Sequence, residues 1–160
     1  MMGRLWLVLA AGTALLAACG SGGGTGGRPV EIATTPLAGT IGGATWTLVS
    51  AESSAFLSDG ETSFFVTAYA EAVTPCAGAG GSTNGNELLL EIPKTAGDYS
   101  VSLSLPQTFY LAATSNNLVA TSGRLRVDEV TPTSLRGGAH FAFDAYNEVD
   151  GVFTVAICPP

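Results

Sequence analysis

The stretch Gly138-Ala139-His140-Phe141-Ala142-Phe143-Asp144-Ala145, followed by Tyr146-Asn147-Glu148-Val149-Asp150 and then Gly151-Val152-Phe153-Thr154-Val155-Ala156-Ile157, reads as a hairpin. Side chains alternate between the two faces of a strand. Phe141 and Phe143 therefore share one face of the first run, and Phe153, Val155 and Ile157 share one face of the second. Two strands, 138–145 and 151–157, are predicted. Residues 146–150 connect them and contain the Asn and Asp that turns favour.

Upstream, the same pattern recurs every eight to twelve residues. Leu125 and Val127 alternate with charged residues in 124–130, which suits a strand near a sheet edge. Residues 108–114 and 118–121 flank Ser115-Asn116-Asn117, a tight-turn sequence. Tyr99-Ser100-Val101-Ser102-Leu103-Ser104-Leu105 has a regular period of two and predicts one half-solvated strand, ended by Pro106. Residues 87–92 place Leu88, Leu90 and Ile92 inward, and 63–70 is apolar on both faces, as in a central strand. Residues 44–49 put Trp46 and Leu48 on one face. Residues 77–86 form a glycine-rich loop. After Gly20 no stretch holds a helical period over a dozen residues. The expectation is an all-β domain, an antiparallel β-sandwich of about eight or nine strands, with a barrel as the alternative.

The first eighteen residues are of another kind. Arg4 precedes an apolar run from Leu5 to Leu16 that ends in small residues, the layout of a secretory signal peptide. The run is shorter than the roughly 20 residues of a membrane-spanning helix. Gly20-Ser21-Gly22-Gly23-Gly24-Thr25-Gly26-Gly27 follows at once and reads as a flexible tether. Leu16-Ala17-Ala18-Cys19, between the two, resembles the lipobox of a bacterial lipoprotein precursor. The resemblance implies that Cys19 receives a diacylglyceryl group and becomes the first residue of the mature chain. Further acylation, as with palmitate, would make attachment stable, because one chain anchors only marginally. Gly20 is not the aspartate that, in enteric bacteria, often retains such proteins at the inner membrane. The resemblance thus favours an outer-membrane or cell-surface location, with the periplasmic face as the alternative. The expected organisation is a signal peptide at 1–18, a lipidated cysteine and tether at 19–38, and a β-sandwich at 39–160. Residues 31–37 are either an ordered lead-in or more tether.

With Cys19 assigned to lipid, Cys76 and Cys158 remain. An even pair in an exported chain is expected to form a disulfide. It would close a loop of roughly 80 residues, for which chain entropy suggests about 4 kcal/mol. Two thiols at a metal site are the alternative. A single histidine and the absence of any CxxC spacing weigh against it.

The mature part also resembles small uncharacterised β-rich lipoproteins of myxobacteria-type genomes. The likeness rests on Gly39-Thr40-Ile41-Gly42-Gly43-Ala44-Thr45-Trp46-Thr47, Pro75-Cys76, Ile92-Pro93 with Gly97-Asp98-Tyr99, Gly123-Arg124-Leu125, Gly137-Gly138-Ala139-His140-Phe141, and Gly151-Val152-Phe153-Thr154-Val155 with Cys158. It implies the β fold and the disulfide, and it transfers no activity.

The chain carries a formal charge of −7, which argues against a nucleic-acid partner and against docking to anionic lipid by charge. His140 is the single histidine, so any Ser-His-acid triad must use it. No Gly-x-Ser-x-Gly elbow is present, and alternation with Phe141 makes His140 an outward strand residue. Copper carriage would need a second histidine. Asp144, Asn147, Glu148 and Asp150 offer oxygen ligands for calcium, but the same residue types serve a hairpin turn. Trp46, Tyr69, Tyr99, Tyr110 and Tyr146 could form a sugar-stacking face or simply pack as strand residues. The expectation is a non-enzymatic binding or structural module without a cofactor. It would be held to membrane lipid through acylated Cys19 and would meet an envelope protein or glycan. A calcium-dependent adhesion or glycan-binding domain is the alternative, and a hydrolase using His140 is third.

Overall fold

The computed structural model describes residues 30–77 and 85–160. The segments expected to be a signal peptide and a glycine-rich tether, with Cys19 between them, lie outside these residues, as does most of the 77–86 loop. The described residues are all-β, as expected. In chain order they form β1 (Ala38–Ile41), β2 (Ala44–Thr47), β3 (Ser50–Ser53), a helical turn α1 (Ala55–Ser58), β4 (Ser63–Tyr69), β5 (Glu87–Pro93), β6 (Gly97–Ser100), β7 (Gln107–Leu111), β8 (Asn116–Val119), β9 (Ser122–Val130), β10 (Ser134–Ala142) and β11 (Glu148–Ala156).

The hairpin that decides the fold is β10–β11, paired from Ser134↔Ala156 to Ala142↔Glu148. Glu148, Val149 and Asp150, expected in the connection, belong to β11. Pairing continues that far because Val149 is fully buried opposite Phe141, which shortens the turn to 143–147. Phe141, Phe143, Phe153 and Val155 are all buried on the inner face.

The strands do not form two separate sheets. They are hydrogen-bonded in the order β6-β9-β10-β11-β3-β4-β5-β7-β8, with the β1–β2 hairpin attached to β11. The joint is the second edge of β11. Its first residues pair antiparallel with β1, at Ala38↔Asp150, Gly39↔Val149 and Thr40↔Glu148. Its last residue pairs parallel with β3, at Ala156↔Glu52. One long strand thus carries two short ones end to end, and the sheet curls into a half-barrel around a single core. Rings close that core across the curl. Trp46 of β2 meets Phe109 of β7 edge-on at 5.5 Å, and Phe109 meets Phe143 at 6.2 Å. Such pairs add about 0.5–1.5 kcal/mol each beyond area burial.

β4 is central, between β3 and β5, as its two apolar faces suggested. β5 buries Leu88, Leu90 and Ile92, as its alternation required. The predicted strand at 44–49 is interrupted: β2 ends at Thr47, and a separate strand, β3, follows.

The period-two run 99–105 is not one strand. β6 ends at Ser100, and Ser102 and Leu105 pair across a tight turn that leaves Leu103 97% exposed. Connectivity overrides the pattern here. β6 sits at one end of the sheet order and β7 next to the other end, so the chain must leave one half of the curl and enter the other. Pro106 cannot donate to a ladder. The buried Gln107 side chain fixes the corner by donating to the carbonyls of Leu105 and Glu91. β9, expected near an edge, is second in the order and is covered on one side by the four residues of β6.

Packing also begins before Gly39. Ile32 and Leu37 are buried, so 30–38 is part of the fold rather than tether. Leu37 N–H donates to the Val152 carbonyl, and Val152 N–H donates to the Thr35 carbonyl. Further upstream the chain crosses the outer face of β11, β10 and β9. Ala33 N–H donates to Asp150 Oδ1, and Arg124 donates to the Val30 carbonyl. Glycines make room for this lead-in. A Cβ on Gly138 would lie 2.9 Å from Ile32 Cγ2, and one on Gly151 would lie 2.7 Å from the Leu37 backbone. Gly151 also has a φ of +138°, which side-chain-bearing residues rarely adopt. Gly151→Ala is therefore expected to destabilise the protein by about 2–4 kcal/mol through combined strain and overpacking. Urea denaturation would measure this, and an unchanged midpoint would show that the lead-in does not press on β11.

Candidate functional site

Three groups of side chains can be assessed as sites. The first lies on the outer face under the lead-in. Register aligns Ser100 of β6, Arg124 of β9, His140 of β10 and Asp150 of β11 in one row. Ser100, Arg124 and His140 border a cavity of about 400 Å³ that Val30, Asp98, Tyr99 and Ser122 also line. Arg124 is held by Asp98, with Nη2 to Oδ1 at 2.8 Å and Nε to the same oxygen at 3.1 Å.

His140 points to the outer face, as alternation predicted, but the lead-in covers it and its side chain is only 20% exposed. Its Nδ1 lies 3.7 Å from Asp150 Oδ2 and makes no hydrogen bond. At that distance the pair is a charge contact available to protonated histidine, not the bond that orients a catalytic base. Asp150 Oδ1 instead accepts from Ala33 N–H at 3.0 Å. A nucleophile is not positioned either. Ser100 is two strands away, with Arg124 between, and Ser122 is a diagonal neighbour on β9. The His140 side chain makes no hydrogen bond to either hydroxyl among the described residues. The row has an acid, a base and hydroxyls without the hydrogen-bonded order of a triad.

The second group is the acidic connection. Asp144 caps its own turn: Oδ1 accepts from Tyr146 N–H at 2.8 Å and Asn147 N–H at 3.0 Å, and Oδ2 accepts from Asn147 Nδ2 at 2.6 Å. These bonds, led by that from Tyr146 N–H, hold the Asp144 carboxyl below its ordinary pKa. Asn147 Oδ1 accepts from Gly42 N–H and ties the turn to the β1–β2 connection. Asp150 is engaged by the lead-in. Asp144, Glu148 and Asp150 form no cluster of carboxylates within ligand range of one another among the described residues. Turn chemistry accounts for Asp144 and Asn147, the lead-in engages Asp150, and Glu148 is exposed at the start of β11.

The third group surrounds the cysteines. Cys76 and Cys158 are bonded, S–S 2.04 Å, as expected. Glu52, which sequence reading did not single out, stands beside them. Its Oε2 accepts from Cys76 N–H at 2.6 Å and lies 3.9 Å from Cys158 Sγ. Tyr69 OH donates to Glu52 Oε1 at 3.4 Å. Burial first, then the charges of Glu52 and Glu87, raises the Tyr69 pKa and keeps it a donor. Ser53 Oγ accepts from Cys158 N–H at 2.9 Å. A cavity of about 480 Å³ opens here, bordered by Glu52, Ser54, Phe56 and Thr67 among others. Glu52 had no signal in the sequence because β3, Ser-Ala-Glu-Ser, has too little apolar contrast to reveal its period.

The aromatic residues are dispersed. Trp46 and Tyr69 are buried and Tyr146 is 84% exposed, so the five rings make no common stacking face. The largest exposed apolar side chains among the described residues include Phe56, 89% exposed, and Leu57 on α1, a turn capped by Ser54 Oγ accepting from Leu57 N–H. Leu57 borders an apolar cavity of about 360 Å³ with Phe65, Leu89, Pro106 and Thr108.

Compared with family models, curated proteins and solved structures, the chain finds no match.

If Asp144 is a turn cap and not a calcium ligand, millimolar calcium leaves the melting temperature unchanged. Because its pKa is lowered on folding, the stability it contributes is present above the ordinary carboxylate range and is lost as pH falls through the lowered value. Asp144→Ala should therefore melt lower than wild type at neutral pH, and the difference should shrink in strong acid. A calcium-induced rise in melting temperature that vanishes in Asp144→Asn with Asp150→Asn would overturn the turn-cap reading.

Proposed function

We propose that this protein is an exported bacterial lipoprotein, anchored through acylated Cys19, whose β-domain is a non-enzymatic binding or structural module of the cell envelope. The observation that carries this reading is Leu16-Ala17-Ala18-Cys19, placed after a short apolar segment and before a glycine-rich run. Two features of the fold support it. The Cys76–Cys158 disulfide suits an oxidising compartment. Packing starts at 30–37, a few residues after the glycine-rich run, so the tether of the proposal would join the domain on the outer face of β9, β10 and β11. Acyl chains would fix the protein in a leaflet, and the tether would give the domain reach. An outer-membrane or cell-surface location remains the favoured form of the proposal.

For the domain itself, the dispersal of the rings supports a protein partner over a glycan. So does the exposure of Phe56 and Leu57 beside an apolar cavity, because exposed apolar patches mark interaction surfaces. The unpositioned hydroxyls around His140 support a role without catalysis.

The test is expression of the precursor in cells fed an alkyne-bearing fatty acid. The wild type should take up the label and fractionate with membranes, and Cys19→Ala should lose both properties. Acyl label retained by Cys19→Ala would refute the anchor. In-cell cross-linking addresses the second half: reproducible links from residues 30–160 to one envelope protein support the module reading, and links confined to the tether contradict it.

A further inference from the structure

Glu52, Cys76 and Cys158 have a chemistry that neither the anchor nor the fold requires. One carboxylate oxygen and the two sulfurs all lie within 4.8 Å of one another. In the disulfide the sulfurs have no thiolate to offer. Reduction changes that. A dithiol or phosphine reductant supplies two electrons, the S–S bond breaks, and two protons complete two thiols. A divalent cation can then displace those protons and take both sulfurs as thiolates.

Such a site needs its ligands to stay together once the covalent bond is gone. The structure supplies restraints on each side. Cys158 N–H is held by Ser53 Oγ, and the preceding Ile157 N–H by the Thr133 carbonyl. Cys76 N–H is held by Glu52, and Val73 N–H by Ser50 Oγ, which itself donates to the Glu71 carbonyl. β3 thus grips both cysteine-bearing segments through the side chains of Ser50, Glu52 and Ser53, independently of the disulfide. Glu52 is in turn steadied by the Tyr69 hydroxyl.

We propose that Glu52, Cys76 and Cys158 form a redox-gated site for a thiophilic divalent cation such as Zn²⁺, closed when the cysteines are bonded and open when they are reduced. Two thiolates and a carboxylate are three of the four ligands of a tetrahedral ion, and the cavity that all three residues border, with Ser54, Phe56 and Thr67, leaves room for a fourth. That open position would take water or one small exogenous ligand. The site is independent of the lipid anchor.

The test uses the full chain carrying Cys19→Ala, so that two thiols can form. After anaerobic reduction with a phosphine, Cd²⁺ is titrated and thiolate-to-metal charge-transfer absorption is followed in the ultraviolet. The expected result is one Cd²⁺ per chain, no such absorption from the oxidised protein, and affinity weaker by about tenfold or more in Glu52→Gln. Cys76→Ser should remove the two-thiolate signal. Equal affinity in Glu52→Gln, or no absorption from the reduced chain, would overturn the proposal. So would loss of the β-sheet circular dichroism signal on reduction before metal is added, since the ligands would then not be preassembled.

Discussion

The structure depends on β11 having both of its edges filled. β10 takes one edge along nine residues. The other edge is divided, with Thr35 and Leu37 bonded at Val152, β1 at 148–150 and β3 at Ala156. Without β3 at Ala156, no strand pairing would join β3, β4, β5, β7 and β8 to the rest of the sheet. Without the lead-in and β1, much of that edge would be left with unpaired backbone groups, which exposed edges carry as an aggregation hazard. The short, weakly apolar strands β1 and β3 are ordered because a long, strongly apolar one accepts them.

Several distant features converge on this strand. The disulfide lies just past its C-terminal end and joins it to the segment after β4. The Asp144 turn lies before its N-terminal end and reaches the β1–β2 connection through Asn147. His140 and Asp150 are neighbours because β10 and β11 are in register there, and the lead-in that covers them is held by Asp150 itself. Covering explains why a polar row on an outward face is half-buried. It also means that the outer face of β9, β10 and β11 is occupied by the lead-in, whereas the α1 corner, with Phe56 and Leu57, is open.

The fold class was legible because the apolar residues of β5, β10 and β11 keep a period of two over long runs, and burial follows it. The cysteine count, together with the export expected from the N-terminal segment, made the disulfide legible. What escaped the pattern was whatever depends on distant parts of the chain. The run 99–105 has the most regular alternation, yet it turns a corner because β6 and β7 belong to opposite ends of the sheet. β3 has two small or polar buried residues, Ala51 and Ser53, and so gave no hydrophobic signal. Glu52 therefore passed unnoticed, although its neighbours make it the chemically distinctive carboxylate of the cysteine corner. A hint of the lead-in did exist in the glycines at 138 and 151, which interrupt otherwise apolar strands where another backbone or side chain approaches closely.

Native-state hydrogen exchange tests the central role of β11 most directly. If both of its edges hold the two halves of the sheet together, the amides of Leu37 and Val152, bonded across the lead-in, should exchange only through global unfolding. They should match the Phe153 amide in the β10–β11 hairpin and be far slower than the amides of the terminal strand β8. Exchange of Leu37 and Val152 at the rate of exposed loops, with the β10–β11 ladder still protected, would contradict the account. It would reduce the lead-in to a loosely attached tail.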